Sequence, residues 1–186
     1  MFASAELFRR HGYTGTGLKQ VVAQAQAPFG SLYHFFPGGK EQLGEEVIRA
    51  SGAFYLQLWH AIADPAGDPV TAIEDFFAGA AQTLVDTDYA DACPIATIAL
   101  EVASKHETLR VATADAFTSW IDAITEHLRV AGLDAATARR LGLSTLCGLE
   151  GAFVLARALR SVEPLEAAGA AAADDVRAAL AALAAR

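Results

Sequence analysis

Ser31, Tyr33, His34 and Lys40 crowd into one short stretch, "APFGSLYHFFPGGKEQL" (27–43), with Leu32, Phe35 and Phe36 among them. Two hydroxyls, an imidazole and an ammonium can all donate hydrogen bonds to phosphate oxygens. Together with backbone N–H groups at a helix start, they hold phosphates without a large basic patch. Bond-breaking chemistry has no comparable signal. The chain has no GxSxG, P-loop, GxGxxG or HExxH, and no His/Asp/Glu set at metal-ligand spacing. "CGLEG" (147–151) reads as glycines that let helices pack closely. No nucleophile is paired with a base, so the expectation is a binding protein, not an enzyme, with no cofactor.

To present those polar groups, the stretch must have a second, apolar face. Leu32 and Phe36 face inward toward Phe8, Val21 and Val22, while Ser31, Tyr33 and His34 face outward. The flanking pattern supplies the scaffold. "FASAELFRRHG" puts Phe2, Ala5, Leu7 and Phe8 on a helical stripe that stops at Gly12. Thr16 is placed as the N-cap of a second short helix, "GLKQVVAQA". Pro28 suits the first turn of a third, ended by Pro37-Gly38-Gly39. Two short helices joined by a tight turn match a helix-turn-helix, whose second helix enters the major groove. The pattern alone leaves a plain three-helix corner equally open.

Longer helices follow at about 40–62, 70–86, 94–104, 107–131, 135–160 and 172–185, with linkers at Asp64–Pro69 and Pro164–Gly169 and no strand alternation. The expectation is all-α: an N-terminal three-helix helix-turn-helix domain (1–45) and a six-helix ligand-binding and dimerisation domain (46–186).

Of 186 residues, 53% are hydrophobic and 19% charged, enough apolar material for a packed core. The net charge of −8 argues against a nucleic-acid protein until its distribution is read. Residues 1–50 carry five bases against four acids, and the remainder nine against eighteen, so the acidity spares the N-terminal part. Cys93 and Cys147 lie in apolar helical patterns and read as buried, reduced thiols. No uncharged apolar run of about 18 residues and no signal peptide are visible, so a soluble, cytoplasmic chain without membrane contact is expected.

The stretch "AELFRRHGYTGTGLKQVVAQAQAPFGSLYHFFPGGKEQLGEEVIR" resembles the DNA-binding region of the TetR family of transcriptional repressors, over residues 4–49, with "GSLYHFFPGGKEQL" its most specific part. "CPIATIALEVAS" (93–104) and "LEGAFVLARALRSVEPLE" (149–166) look like the LmrA/YxaF-like branch. The resemblance implies a homodimer that binds a palindromic double-stranded DNA operator and releases it on binding a small-molecule effector. By position it implies phosphate and groove contacts from Thr16, Tyr33, His34 and Lys40, and base-edge reading by Pro28, Phe29 and Ser31.

Three departures stand out against that resemblance. Gln26 occupies a turn position where the family has glycine; a left-handed backbone there costs about 1 kcal/mol or more. Phe29 replaces a common basic residue, losing a guanine or phosphate contact and allowing a thymine-methyl contact. The chain also starts later than the family does, so Met1 reads as an internal methionine or a misplaced start. A true start at Met1 would weaken operator binding, because phosphate contacts supply much of it.

In the longer helices, Trp59, Phe76, Phe77, Phe117, Trp120 and Phe153 are large rings. Each is compatible with plain core packing, and the resemblance gathers them into an apolar effector pocket. Glu101 and Glu150 interrupt apolar runs and are candidate polar anchors, with helix-edge ion pairing as the alternative. His60 and His106 read as surface or loop residues. Leu141, Leu143, Leu146, Leu149, Phe153 and Leu155 are more apolar than one core face needs, so the last two helices are expected to form the homodimer interface, with a central core helix as the compatible alternative. A small-molecule-binding dimer with a vestigial DNA-binding half is the alternative function.

Overall fold

The structure, a computed structural model, describes residues 2–185. Among these the chain is all-helical: α1 (Phe2–Gly15), α2 (Leu18–Gln24), α3 (Phe29–Phe35), α4 (Gly39–Ala66), α5 (Pro69–Asp86), α6 (Pro94–Val102), α7 (Glu107–Val130), α8 (Ala135–Leu159) and α9 (Glu163–Ala184). It forms two compact units. The first takes the residues up to Phe54 together with Ala92–Phe117; the second takes Tyr55–Asp91 and the residues from Thr118 on. The units do not follow a boundary at residue 45: α6 and the first part of α7 belong with the N-terminal helices.

In the first unit α1 breaks at Gly12, whose backbone (φ +72°, ψ 174°) is not helical. Its buried face is Ser4, Leu7 and Phe8, not a stripe that includes Phe2, which is 96% exposed. At 3.6 residues per turn Phe2 lies about 140° round the helix from Leu7, off the buried face. Leu32 of α3 and Val21 of α2 are buried, and Val22 and Phe36 half-buried, as the inward pattern requires. Further along the unit, Gly52 of α4 faces Ala116 of α7 so closely that an added Cβ would lie 2.9 Å from the alanine's. Arg49 bridges to Asp115 beside it at 3.0 Å.

In the second unit two aspartates start helices. Asp68 accepts the N–H groups of Val70 and Thr71, both at 3.0 Å, at the head of α5, and Asp134 does the same for Ala136 and Thr137 at the head of α8. The expected 64–69 linker is therefore mostly helix end and helix cap: α4 continues through Pro65 to Ala66, and Pro69 opens α5. Likewise 164–169 is not a loop. Pro164 lies in the first turn of α9, where its missing N–H costs nothing. Gly169 packs on Phe77, with an added Cβ 2.8 Å from that side chain.

α8 has two characters. Leu141, Leu146, Leu149, Ala152 and Ala156 are buried. Leu143, Cys147, Val154, Leu155 and Leu159 are exposed on another side. The expectation of two buried thiols is thus corrected: Cys147 is exposed, and half-buried Cys93 caps α6, its Sγ accepting from Ala96 N–H at 3.4 Å. By length and composition alone α8 could cross a membrane, a test that a core helix also passes.

Candidate nucleic-acid interface

The turn between α2 and α3 is a Schellman closure. The N–H of Gln26 donates to the Ala23 carbonyl (3.1 Å) and that of Ala27 to the Val22 carbonyl (2.9 Å). Gln26 itself holds the left-handed backbone, φ +51°, at the position where glycine is the low-energy choice. The turn then releases the chain into α3 at Pro28, which is its N-cap and not a first-turn residue.

α3 offers an aromatic surface. Phe29 (44% exposed) and Tyr33 (50%) lie one turn apart with their rings 5.9 Å from centre to centre. His34 is exposed and meets Phe35, which is 67% exposed, at 5.1 Å. Pro28 and Gly30 are exposed too, and a Cβ on Gly30 would meet nothing within 4 Å. Ser31 is half-buried, its hydroxyl donating to the Pro28 carbonyl at 2.6 Å. Of the surface residues, Phe35 escaped sequence reasoning because it sits in an aromatic run where one ring must face inward. Lys19, on α2, is exposed.

Thr16 does not reach that surface. It is 1% exposed, and its hydroxyl donates to the carbonyls of Gly12 (2.8 Å) and Leu7 (3.3 Å). Nor does it cap α2. Gly17 holds that position, and its N–H donates to Gln20 Oε1 at 2.8 Å. A threonine hydroxyl pointed back into α1 is satisfied there and is withdrawn from phosphate.

Lys40, at the head of α4, lies over the Tyr13 ring at 4.5 Å with its Nζ 3.5 Å from the Thr14 carbonyl. Partial burial lowers its pKa, and the nearby Glu101 charge opposes that shift. Burial, helped by Glu41, raises the pKa of Tyr13. His106, expected as a surface or loop residue, lies in the loop between α6 and α7, half-buried and edge-on to Tyr13 at 5.6 Å.

The expected pocket residues divide between the units. Phe117 and Glu101 belong to the first. Glu101 is occupied there, accepting the backbone N–H groups of Tyr13 and Thr14. In the second unit Trp59 meets Phe76 at 5.3 Å and His127 at 5.8 Å, and Trp120 meets Tyr55 at 6.0 Å. His60 is exposed beside Asp64. Phe153 and Glu150 are half-buried on α8. Phe77 lines a groove of about 470 Å³ between α5 and α9, with Ala81, Val85, Leu165 and Gly169. Sequence reasoning missed His127. Its Nε2 is buried without a hydrogen-bond partner, and burial lowers its pKa against the pull of Asp64 and Asp68.

Comparison with known proteins adds the family context. A family model described as bacterial regulatory proteins, tetR family, matches residues 2–47. A second, described as transcriptional regulator LmrA/YxaF-like, C-terminal domain, matches residues 69–171. The uncharacterized HTH-type transcriptional regulator YxaF of Bacillus subtilis is 33% identical over 165 residues, covering 89% of this chain and 86% of that protein. The HTH-type transcriptional regulator LmrA of the same organism is 31% identical over 163 residues, covering 88% and 87%. Among solved structures, a TetR regulatory protein from Rhodobacter sphaeroides shares the fold with a TM-score of 0.84 at 20% identity, over 94% of this chain and 95% of that one. FadR of Bacillus subtilis, solved in complex with stearoyl-CoA, does so with a TM-score of 0.71 at 13% identity, over 94% of each.

Proposed function

This chain belongs to the TetR family of bacterial helix-turn-helix transcriptional regulators, and we propose that it is a ligand-responsive repressor. In this reading it binds a palindromic operator as a dimer in the cytoplasm and releases it when a small apolar or aromatic effector binds. The observation that carries the reading is the exposed face of α3. Five residues there, Pro28, Phe29, Tyr33, His34 and Phe35, leave large surfaces in water on a helix whose Leu32 anchors it to the scaffold. Rings left in solvent at that density are surfaces for a partner.

The face is poor in charge, so α3 reads bases through shape and apolar contact, with Phe29 placed for a thymine methyl. Tyr33, His34 and Lys40 contact phosphate and fix the register. Ser31 supports Pro28 at the helix start, so its part in base reading is indirect.

The dimer forms through α8 and α9. The exposed side of α8, with Leu143, Cys147, Val154 and Leu155, and the alanines exposed along α9 fit a four-helix interface. The effector binds in the second unit, where Trp59, Phe76 and Trp120 gather aromatic surface. α4 carries the chain from that unit into the DNA-reading one, so a shift of α4 on effector binding changes the spacing of the two recognition helices. The effector must bind the two states unequally to do this. Selection of duplexes from a random-sequence DNA pool tests the reading: enrichment of a palindrome supports it.

A further inference from the structure

One side chain ties α6 to the corner between α1 and α2. The Glu101 carboxylate accepts the N–H of Tyr13 at 3.1 Å and that of Thr14 at 2.7 Å. Those are the first two donors after the break at Gly12, where the helix ladder is interrupted and N–H groups need outside acceptors. Gly12 makes room for this. A Cβ there would lie 1.8 Å from Glu101 Oε1, and its φ of +72° already favours glycine.

What the carboxylate holds is the seat of Lys40. The Tyr13 ring is buried, packed on Phe8 at 5.7 Å, and lies beneath the Lys40 ammonium. The ammonium donates to the Thr14 carbonyl, at 3.5 Å. Gly44, one turn along α4, lies so close that an added Cβ would be 2.8 Å from the same ring. The two residues gripped by their N–H groups from α6 are therefore the two that seat the lysine.

We infer that Glu101 is a positioning residue for operator binding: from α6 it fixes Tyr13 and Thr14, and through them the Lys40 ammonium and the entry to α2. The inference rests on the regulator reading. Glu101 touches no DNA in it; its effect passes through Lys40.

The test is Glu101→Gln, which keeps the side-chain volume but sets an NH₂ group against one of the two N–H donors. The probe is a duplex enriched by the unaltered full-length protein from a random-sequence pool. Binding is measured at a temperature where circular dichroism shows both proteins fully helical. The expected result is about tenfold weaker binding, the scale of one lost charge-assisted hydrogen bond. The slope of log affinity against log salt should fall by about two, as expected when one phosphate contact is lost in each of the two protomers on the operator. Lys40→Ala should then cost less in the Glu101→Gln background than alone. Glu107→Gln, which removes an exposed partner of Arg110 on α7, should leave binding unchanged.

Equal affinity of Glu101→Gln and the unaltered protein would overturn the inference and leave the regulator reading standing. So would a loss with unchanged salt slope that is additive with Lys40→Ala, since that pattern marks a general structural defect. If the unaltered protein enriches no duplex, the regulator reading falls and the positioning role falls with it.

Discussion

Tyr13 lies under Lys40, its ring centre 4.5 Å from the ammonium, so a buried aromatic of α1 supports a cation at the head of α4. The ring also fills the space between Phe8, His106 and Gly44. Tyr13→Ala is expected to destabilise the fold by about 3 kcal/mol, in the range for large-to-small changes at buried aromatics. Tyr13→Phe keeps the ring and is expected to cost under about 1 kcal/mol. Urea unfolding followed by circular dichroism measures both.

Gln26 carries a left-handed backbone that glycine adopts freely. Gln26→Gly removes about 1 kcal/mol of strain and returns part of it as unfolded-state entropy. The net expectation is a gain of up to about 1 kcal/mol. Gln26→Val, β-branched at positive φ, should instead lose more than about 1 kcal/mol. The difference in urea midpoint between the two variants checks the sign.

His127 titrates below the ordinary histidine range because burial disfavours its charged form, and His60 adds to this while Asp64 and Asp68 oppose it. In the unfolded chain it binds protons at higher pH than in the folded one. Stability from this group is therefore complete above about pH 6.5 and falls as pH drops through the lowered folded value. His127→Phe should flatten that part of the melting-temperature profile while leaving the profile above neutrality unchanged. An unchanged acid limb in the variant would mean other groups set it.

Much of this was readable from residue types, and the exceptions share a cause. The helix stop at Gly12 and the inward Leu32 are legible because stop signals and helical stripes are local; the left-handed backbone at Gln26 is implied by the family resemblance, which has glycine there. Glu101 interrupts an apolar run, which fits a pocket anchor or a helix-edge carboxylate paired with Arg or water. Its partners are backbone N–H groups 88 and 87 positions away, which leave no mark in sequence. The residue type of Thr16 suits an N-cap, but its hydroxyl donates to the Gly12 carbonyl, a partner that residue type does not reveal. The start of α9 is hidden in the sequence because Pro164 looks the same as a helix breaker and as a first-turn residue. In the structure Pro164 lies in the first turn of α9, and Gly169 further along packs on Phe77.

The exposed apolar side of α8 predicts the oligomeric state. The unaltered protein should sediment as a dimer at micromolar concentration. Leu155→Glu would bury an unpaired charge in the interface and should shift it toward monomer by at least about tenfold in dissociation constant. Because half of Leu155 is in solvent in the single chain, the folding midpoint of the monomer should barely change.

The central claim is that the α3 face reads operator DNA, and selection from a random-sequence duplex pool addresses it most directly. The predicted result is one enriched palindrome with half-sites about one helical turn apart, ~34–36 Å, bound by two protomers. Tyr33→Ala and Lys40→Ala should weaken binding of that duplex, and Phe29→Ala should relax the preference at one position of each half-site. Enrichment of no sequence, or binding indifferent to all three substitutions, would contradict the account.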